Sequence, residues 1–182
     1  MDKTLLFGIL SIPIILLSWR TLFRPRSHGF YRFFSWECII WLFVSSYQVW
    51  FAHPFSLKQI FSWVFLIISI YLVITSVVLM HKFGKPGKER EDENLYSFER
   101  TSELVTQGIF KYIRHPMYSS LLFLTWGIYL KNPTLFLLIP AVLSSVFLFL
   151  TTLFDEKECI GYFGDKYRVY MKTSKRLIPF IF

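Results

Sequence analysis

The side chains best equipped for chemistry lie in two short stretches of this 182-residue chain. The first is Arg114-His115-Pro116-Met117-Tyr118, which sets a guanidinium and an imidazole immediately before an apolar run. Proline suits the first turn of a helix, where its missing N–H loses no bond, so Pro116 predicts a helix start here. The free N–H groups of that turn and the positive end of the helix dipole favour an anion such as a carboxylate. The second stretch is Asp155-Glu156-Lys157-Glu158, which closes another apolar run. Acidic groups at a span end do little for membrane topology, which leaves room for a binding role. Together the stretches offer a cation, an imidazole and carboxylates that converge if the two runs pack as a hairpin. Taken singly, Arg114 and His115 also read as interfacial anchors, and the acidic stretch as a solvated helix end.

The elements that must position these groups are apolar runs. Hydrophobic residues make up 54% of the chain and charged residues 18%, and the charges are gathered into a few stretches. The runs between them approach the roughly 20 residues that a helix needs to cross a bilayer. They extend over 5–23 (with Pro13 inside), 33–51, 60–80, 117–130 and 134–154. The fourth is short: at about 1.5 Å per residue it spans only about 21 Å. Between the third and fourth runs the composition turns polar, with an acidic cluster at Glu89, Glu91, Asp92 and Glu93. Beyond the fifth run, Cys159, Ile160 and Phe163 are spaced like one face of an amphipathic helix. The expectation is an all-α integral membrane protein of about five transmembrane helices, the last two forming a hairpin. Residues 1–80 hold three N-terminal spans. Residues 81–182 hold a cytoplasmic loop, the hairpin and a C-terminal amphipathic helix that closes a pocket.

Basic residues set the sidedness. With five spans, seventeen Lys and Arg fall on one side and only Lys3, Lys58 and Lys131 on the other. That bias places the N-terminus outside and the long loop and C-terminus in the cytoplasm. A bacterial inner membrane is expected rather than the endoplasmic reticulum. The net charge of +8 lies beside apolar runs, which suits anionic headgroups and topology better than nucleic acid. Cys38 and Cys159 are far apart and form neither a disulfide framework nor a metal-ligand spacing. The first run has no small-residue cleavage site before Trp19-Arg20 and reads as a retained helix. Glu37, near the start of the second run, reads first as a headgroup-level carboxylate.

The order Leu104-Val105, Gly108, Arg114-His115-Pro116-Met117-Tyr118, then Asp155-Glu156, Phe163-Gly164, Tyr167, Tyr170 and Arg176-Leu177-Ile178-Pro179 resembles the isoprenylcysteine carboxyl methyltransferase and phospholipid methyltransferase superfamily. The resemblance covers roughly residues 79–182. It implies S-adenosylmethionine as methyl donor, bound on the cytoplasmic side. The implied donor-binding residues are Ser102, Glu103, Leu104, Val105, Phe110, Arg114, His115, Pro116, Met117, Tyr118, Asp155 and Glu156. Methyl transfer from a sulfonium is an in-line displacement in which alignment in a dry site carries much of the catalysis. No covalent intermediate is expected. His115 and Glu156 are the candidates to take a proton from an amine acceptor.

Three positions depart from the family pattern. Ser120 stands where Gly is common, and Asp155 stands where the donor-contacting residue is Glu. Thr151, a candidate substrate-binding position, stands where prenylcysteine-specific members carry Arg. A Thr hydroxyl cannot replace a guanidinium that grips a carboxylate with two bonds. The expected partner is a lipid-like or isoprenoid acceptor reached from the bilayer, either a prenylcysteine carboxylate or a lipid amine. The rival functions are a membrane reductase using NADPH and a non-catalytic membrane scaffold. Neither the acceptor nor the oligomeric state is legible.

Overall fold

A computed structural model describes residues 2–85 and 101–179; the acidic cluster at Glu89, Glu91, Asp92 and Glu93 lies outside these described residues. Among the described residues every regular element is helical: α1 (Lys3–Leu22), α2 (His28–Ser46), α3 (Leu57–Phe83), α4 (Pro116–Tyr129), α5 (Leu135–Phe163) and α6 (Asp165–Thr173). In an apolar medium a helix satisfies its own backbone, which is why apolar runs become helices. Side chains cap several starts. Asp2 accepts from Thr4 N at 3.3 Å, Ser27 from Phe30 N at 3.3 Å and Thr134 from Leu137 N at 3.2 Å.

The helices do not all end where the apolar runs do. α2 begins at His28, five residues before the second run, because Ser27 caps it there. α5 continues to Phe163, so Cys159, Ile160 and Phe163 belong to the end of a 29-residue helix and not to a separate amphipathic one. The break comes at Gly164, whose φ of 60° and ψ of −135° suit a residue without a Cβ. The short amphipathic helix is α6, which follows it and buries Tyr167 and Tyr170.

Among the described residues three helices, α1, α3 and α5, are long and apolar enough to cross a membrane. They mark the chain as a membrane protein. α2 carries Arg32 and Glu37, and α4 has only 14 residues. α5 packs along α2, α4 along α3 and against α5, and α1 covers α2. Lipid chains are as apolar as Leu, so helices associate through close packing and interhelical hydrogen bonds. Ser144 on α5 meets Ser35 on α2 at 2.8 Å and Thr125 on α4 at 3.0 Å, where all three are buried. Ser62 on α3 donates to the Gly127 carbonyl at 2.6 Å. A Cβ on Gly127 would come within 3.0 Å of Leu66, so a larger residue would force α3 and α4 apart. On α1, Ser11 donates to Glu37 at 2.6 Å, which turns that carboxylate toward a neighbouring helix.

The bundle has two polar ends. At one, Lys131 is 1% exposed; its Nζ lies 3.0 Å from Gln59 Oε1 and 3.3 Å from the Trp63 ring centre. At the other end gather His28, the last turn of α3, His115 and the end of α5. Gly164→Ala tests the break that separates α5 from α6. No atom lies within 4 Å of the added methyl group. The whole cost is therefore backbone strain, expected to be about 1–3 kcal/mol and read as a lower Tm in detergent.

Candidate active site

One buried carboxylate organises the second polar end. Glu156 Oε1 accepts from Arg114 Nε at 3.0 Å and Nη2 at 2.8 Å, and also from Arg176 Nε at 3.0 Å. Its Oε2 accepts from Arg176 Nη2 at 2.7 Å. Arg114 Nη1 reaches the Met171 carbonyl at 3.2 Å and also donates to the Ser174 carbonyl. The tail runs alongside the segment before α4. Arg114 N donates to Lys175 O at 2.7 Å, His115 N to Arg176 O at 3.2 Å, and Lys175 N to Tyr112 O at 2.9 Å. Ser119 Oγ closes this seam on Leu177 O at 2.5 Å. The first turn of α4, the end of α5 and the tail therefore form one unit.

Beside that unit lies a cavity of about 100 Å³. His115 and Tyr118 form its floor, with their rings 5.6 Å apart and nearly parallel. His115 Nδ1 lies 3.1 Å from Asp155 Oδ2. Asp155 Oδ1 in turn accepts from Cys159 Sγ at 3.7 Å. Burial opposes charging of the imidazole, but the carboxylates of Asp155 and Glu156 outweigh it and raise the His115 pKa above its ordinary 6.5. His115 Nε2 stands 3.5 Å from Glu156 Oε1, is buried and has no hydrogen-bond partner among the described residues. A buried polar atom left so is costly unless something else meets it. On α6, Tyr170 donates to the Phe110 carbonyl at 2.5 Å. Burial lifts the pKa of Tyr167 and Tyr170 well above the ordinary phenol range, so both walls stay neutral.

Of the residues expected from the sequence, Leu104, Val105, Phe110, Arg114, His115, Pro116, Met117, Tyr118 and Asp155 line this cavity. Ser102 and Glu103 do not. They line a more open hollow of about 740 Å³ that shares Leu104, Phe163 and Tyr170 with the first. Ser102 Oγ donates to Lys85 O at 2.8 Å, and Glu103 meets Lys85 Nζ at 2.6 Å, which stitches this segment to the end of α3. Glu156 faces the two guanidinium groups and is not among the lining residues. Thr151 is fully buried; its hydroxyl donates to Phe147 O at 2.7 Å, within its own helix. Sequence reasoning passed over Met80 and Thr101, which also line the cavity, because neither carries a chemical signal. It also passed over His28, which a loop of unremarkable composition delivers to Glu158.

This arrangement can hold a zwitterion. The unpartnered Nε2, the helix start behind it and the Asp155 carboxylate supply both signs of charge, and the aromatic and aliphatic walls suit a flat heterocycle. The chain belongs to the phospholipid methyltransferase family, which it matches over residues 57–166. The match begins at the start of α3 and ends at the start of α6, so it contains the cavity's lining from Met80 to Phe163 but not Tyr167 and Tyr170. The chain is 28% identical over 109 residues to methanethiol S-methyltransferase 1 of Bradyrhizobium diazoefficiens, which is 59% of this chain and 38% of that protein. It is 34% identical over 74 residues to the methanethiol S-methyltransferase of Pseudomonas deceptionensis, covering 41% of this chain and 28% of the relative. The chain thus spans about a third of the length of these relatives. No solved structure matches it.

Two outcomes follow from this geometry. Glu156→Ala would leave the Arg114 and Arg176 guanidinium groups, 8% and 19% exposed, without their shared carboxylate, and is expected to cost up to about 3–5 kcal/mol in chemical or thermal unfolding. The His115–Asp155 contact has a defined pH dependence. Because the His115 pKa is raised, its stabilisation is complete below 6.5 and is lost as pH climbs through the higher folded value. The Tm should fall as the pH rises from 6.5 through that higher folded value, and His115→Gln should flatten that part of the curve.

Proposed function

We propose that the protein is an integral membrane methyltransferase that uses S-adenosylmethionine on a lipid-like or small acceptor reached from the bilayer. The observation that carries this reading is the His115–Asp155 pair, buried at the start of α4 and facing a cavity lined by the family's motif residues. When bound, the donor's sulfonium supplies the methyl group. His115 and Asp155 hold the charged methionine end, and Asp155 or the nearby hollow receives the ribose hydroxyls. Phe110, Tyr118, Tyr167 and Tyr170 enclose the adenine and keep water away. α6 and the tail close the site, with Glu156 as the tie that holds them. Within the cavity His115 holds the donor, and Glu156, with both oxygens engaged by guanidinium groups, is not free to act as a base.

Five helices cross the membrane in this reading, with α2 and α4 completing the set despite the polar groups of one and the shortness of the other. The seventeen-to-three bias of basic residues supports an outer N-terminus and a cytoplasmic site, in a bacterial inner membrane. A protic acceptor, either a thiol or a lipid amine, is favoured over a carboxylate. Thr151 offers no cation and its hydroxyl is spent on Phe147, while both relatives are named for a thiol.

Calorimetry of the detergent-purified protein with S-adenosylhomocysteine tests the site. Micromolar binding is expected in the wild type, with at least tenfold loss in His115→Ala and Asp155→Ala. Undiminished binding in both variants would defeat the assignment. Binding of NADPH with no binding of the homocysteine compound would point to a reductase, and binding of neither would leave a scaffold.

A further inference from the structure

Outside the donor cavity, the bundle buries a second imidazole whose local structure does not use it fully. His28, the first residue of α2, is completely shielded from solvent. Its Nδ1 lies 2.7 Å from Glu158 Oε2, and its backbone N–H donates to Glu158 Oε1 at 3.2 Å. The carboxylate therefore grips ring and backbone together, and this holds the proton on Nδ1. The other nitrogen, Nε2, is buried with no hydrogen-bond partner among the described residues. A desolvated imidazole nitrogen without a partner costs of the order of 1–3 kcal/mol, so a group held in this state calls for a partner that comes and goes.

The dyad sits against the donor site. A ring nitrogen of His28 and carboxylate oxygens of Asp155 and Glu158 lie within 4.8 Å of one another. Asp155 is also the residue that meets His115. The charged groups facing His28 are Asp155 and Glu158 on α5 and Arg32 on its own helix. Glu158 is one turn beyond Asp155 on α5, so one helix end presents one carboxylate to each imidazole. The His28 pair is connected to bulk water through Glu158, whose side chain is 26% exposed.

We infer that His28 Nε2 is the proton acceptor for the methyl-accepting group, with Glu158 as its positioning residue, and that the acceptor is a protic nucleophile such as a thiol. The X–H bond of the acceptor breaks, its electron pair stays on X, and a new N–H bond forms at His28 Nε2. Glu158 offsets the charge of the resulting imidazolium. X then takes the methyl group from the sulfonium, whose bonding pair stays on sulfur, and the proton leaves His28 for solvent as the product departs. A carboxylate acceptor would need none of this, since it is already ionised. A neutral thiol or a protonated amine needs a base, and a positioned base is worth about 100-fold or more.

The inference rests on the methyltransferase reading, yet one of its tests does not need the donor. Ethanethiol is added to purified, donor-free protein across a pH series, and the ultraviolet thiolate band is recorded. The wild type should show thiolate at neutral pH, well below the pH at which the free thiol ionises. In His28→Gln the band should appear only where the free thiol ionises, and Glu158→Gln should fall between the two. Both variants should bind S-adenosylhomocysteine within about twofold of the wild type. With donor present, His28→Gln should lose about 100-fold in turnover at neutral pH and recover about tenfold per pH unit as the thiol ionises by itself.

A wild-type protein that leaves the thiol un-ionised overturns the inference, whatever the variants do and even if they fail to fold. An unchanged pH profile in His28→Gln also overturns it. So does activity that EDTA abolishes and added Mn²⁺ or Zn²⁺ restores through the same three residues. Failure of the wild type to bind S-adenosylhomocysteine would instead defeat the methyltransferase reading and leave the thiolate measurement to decide the base.

Discussion

Glu156 lies near the end of a long apolar helix with its side chain only 6% exposed. A carboxylate there is tolerable only where cations and hydrogen bonds replace its water. Arg114 and Arg176 do so from two different parts of the chain, and Arg114 goes on to bind the Met171 and Ser174 carbonyls. Removing Glu156 takes the shared partner from both arginines, whereas removing either arginine leaves the other paired with it. The segment before α4, the end of α5 and the tail are therefore tied together by this network as well as by the apolar cluster of Tyr118, Leu148 and Leu177, and the cavity lies beside that tie.

From this tie the chemistry divides in space. On one side, His115 and Asp155 face the cavity together with the aromatic walls from α4 and α6. On the other, Glu158 reaches across to His28 at the start of α2. Three residues of α5, Asp155, Glu156 and Glu158, thus serve the cavity, a structural clamp and a second imidazole by pointing in different directions around one turn. An α-helix makes that possible, because successive side chains are rotated by about 100° from each other. At the opposite end of the bundle Lys131 is buried against Trp63 and Gln59, far from this chemistry, and holds the short α4–α5 turn to α3.

Much of this was legible before any coordinates. Apolar runs mark helices because the membrane leaves the backbone no alternative, and five of the six helices lie on those runs. The Arg-His-Pro-x-Tyr stretch announces its helix start through Pro116, and nine of the twelve expected donor residues line the cavity. The boundaries were less legible. The start of α2 depends on the Ser27 cap, and the end of α5 on the backbone of Gly164, both of which are single-residue events that hydropathy does not register. The pairing of Glu156 was hidden for a similar reason. A carboxylate beside a donor motif reads as a ligand or a base until the two arginines that claim it are seen.

The sequence by itself determined what is local: which segments are helical, which side chains stand at their ends, and the family to which the chain belongs. It could not say which carboxylate meets which cation, because Arg114, Glu156 and Arg176 are brought together by chain folding across 42 and 20 positions. Nor could it bring His28 to Glu158, 130 residues away, or show that Nε2 is left without a partner there. Local pattern follows from the backbone and the solvent, whereas these pairings depend on how the helices pack, and only the tertiary structure decided that.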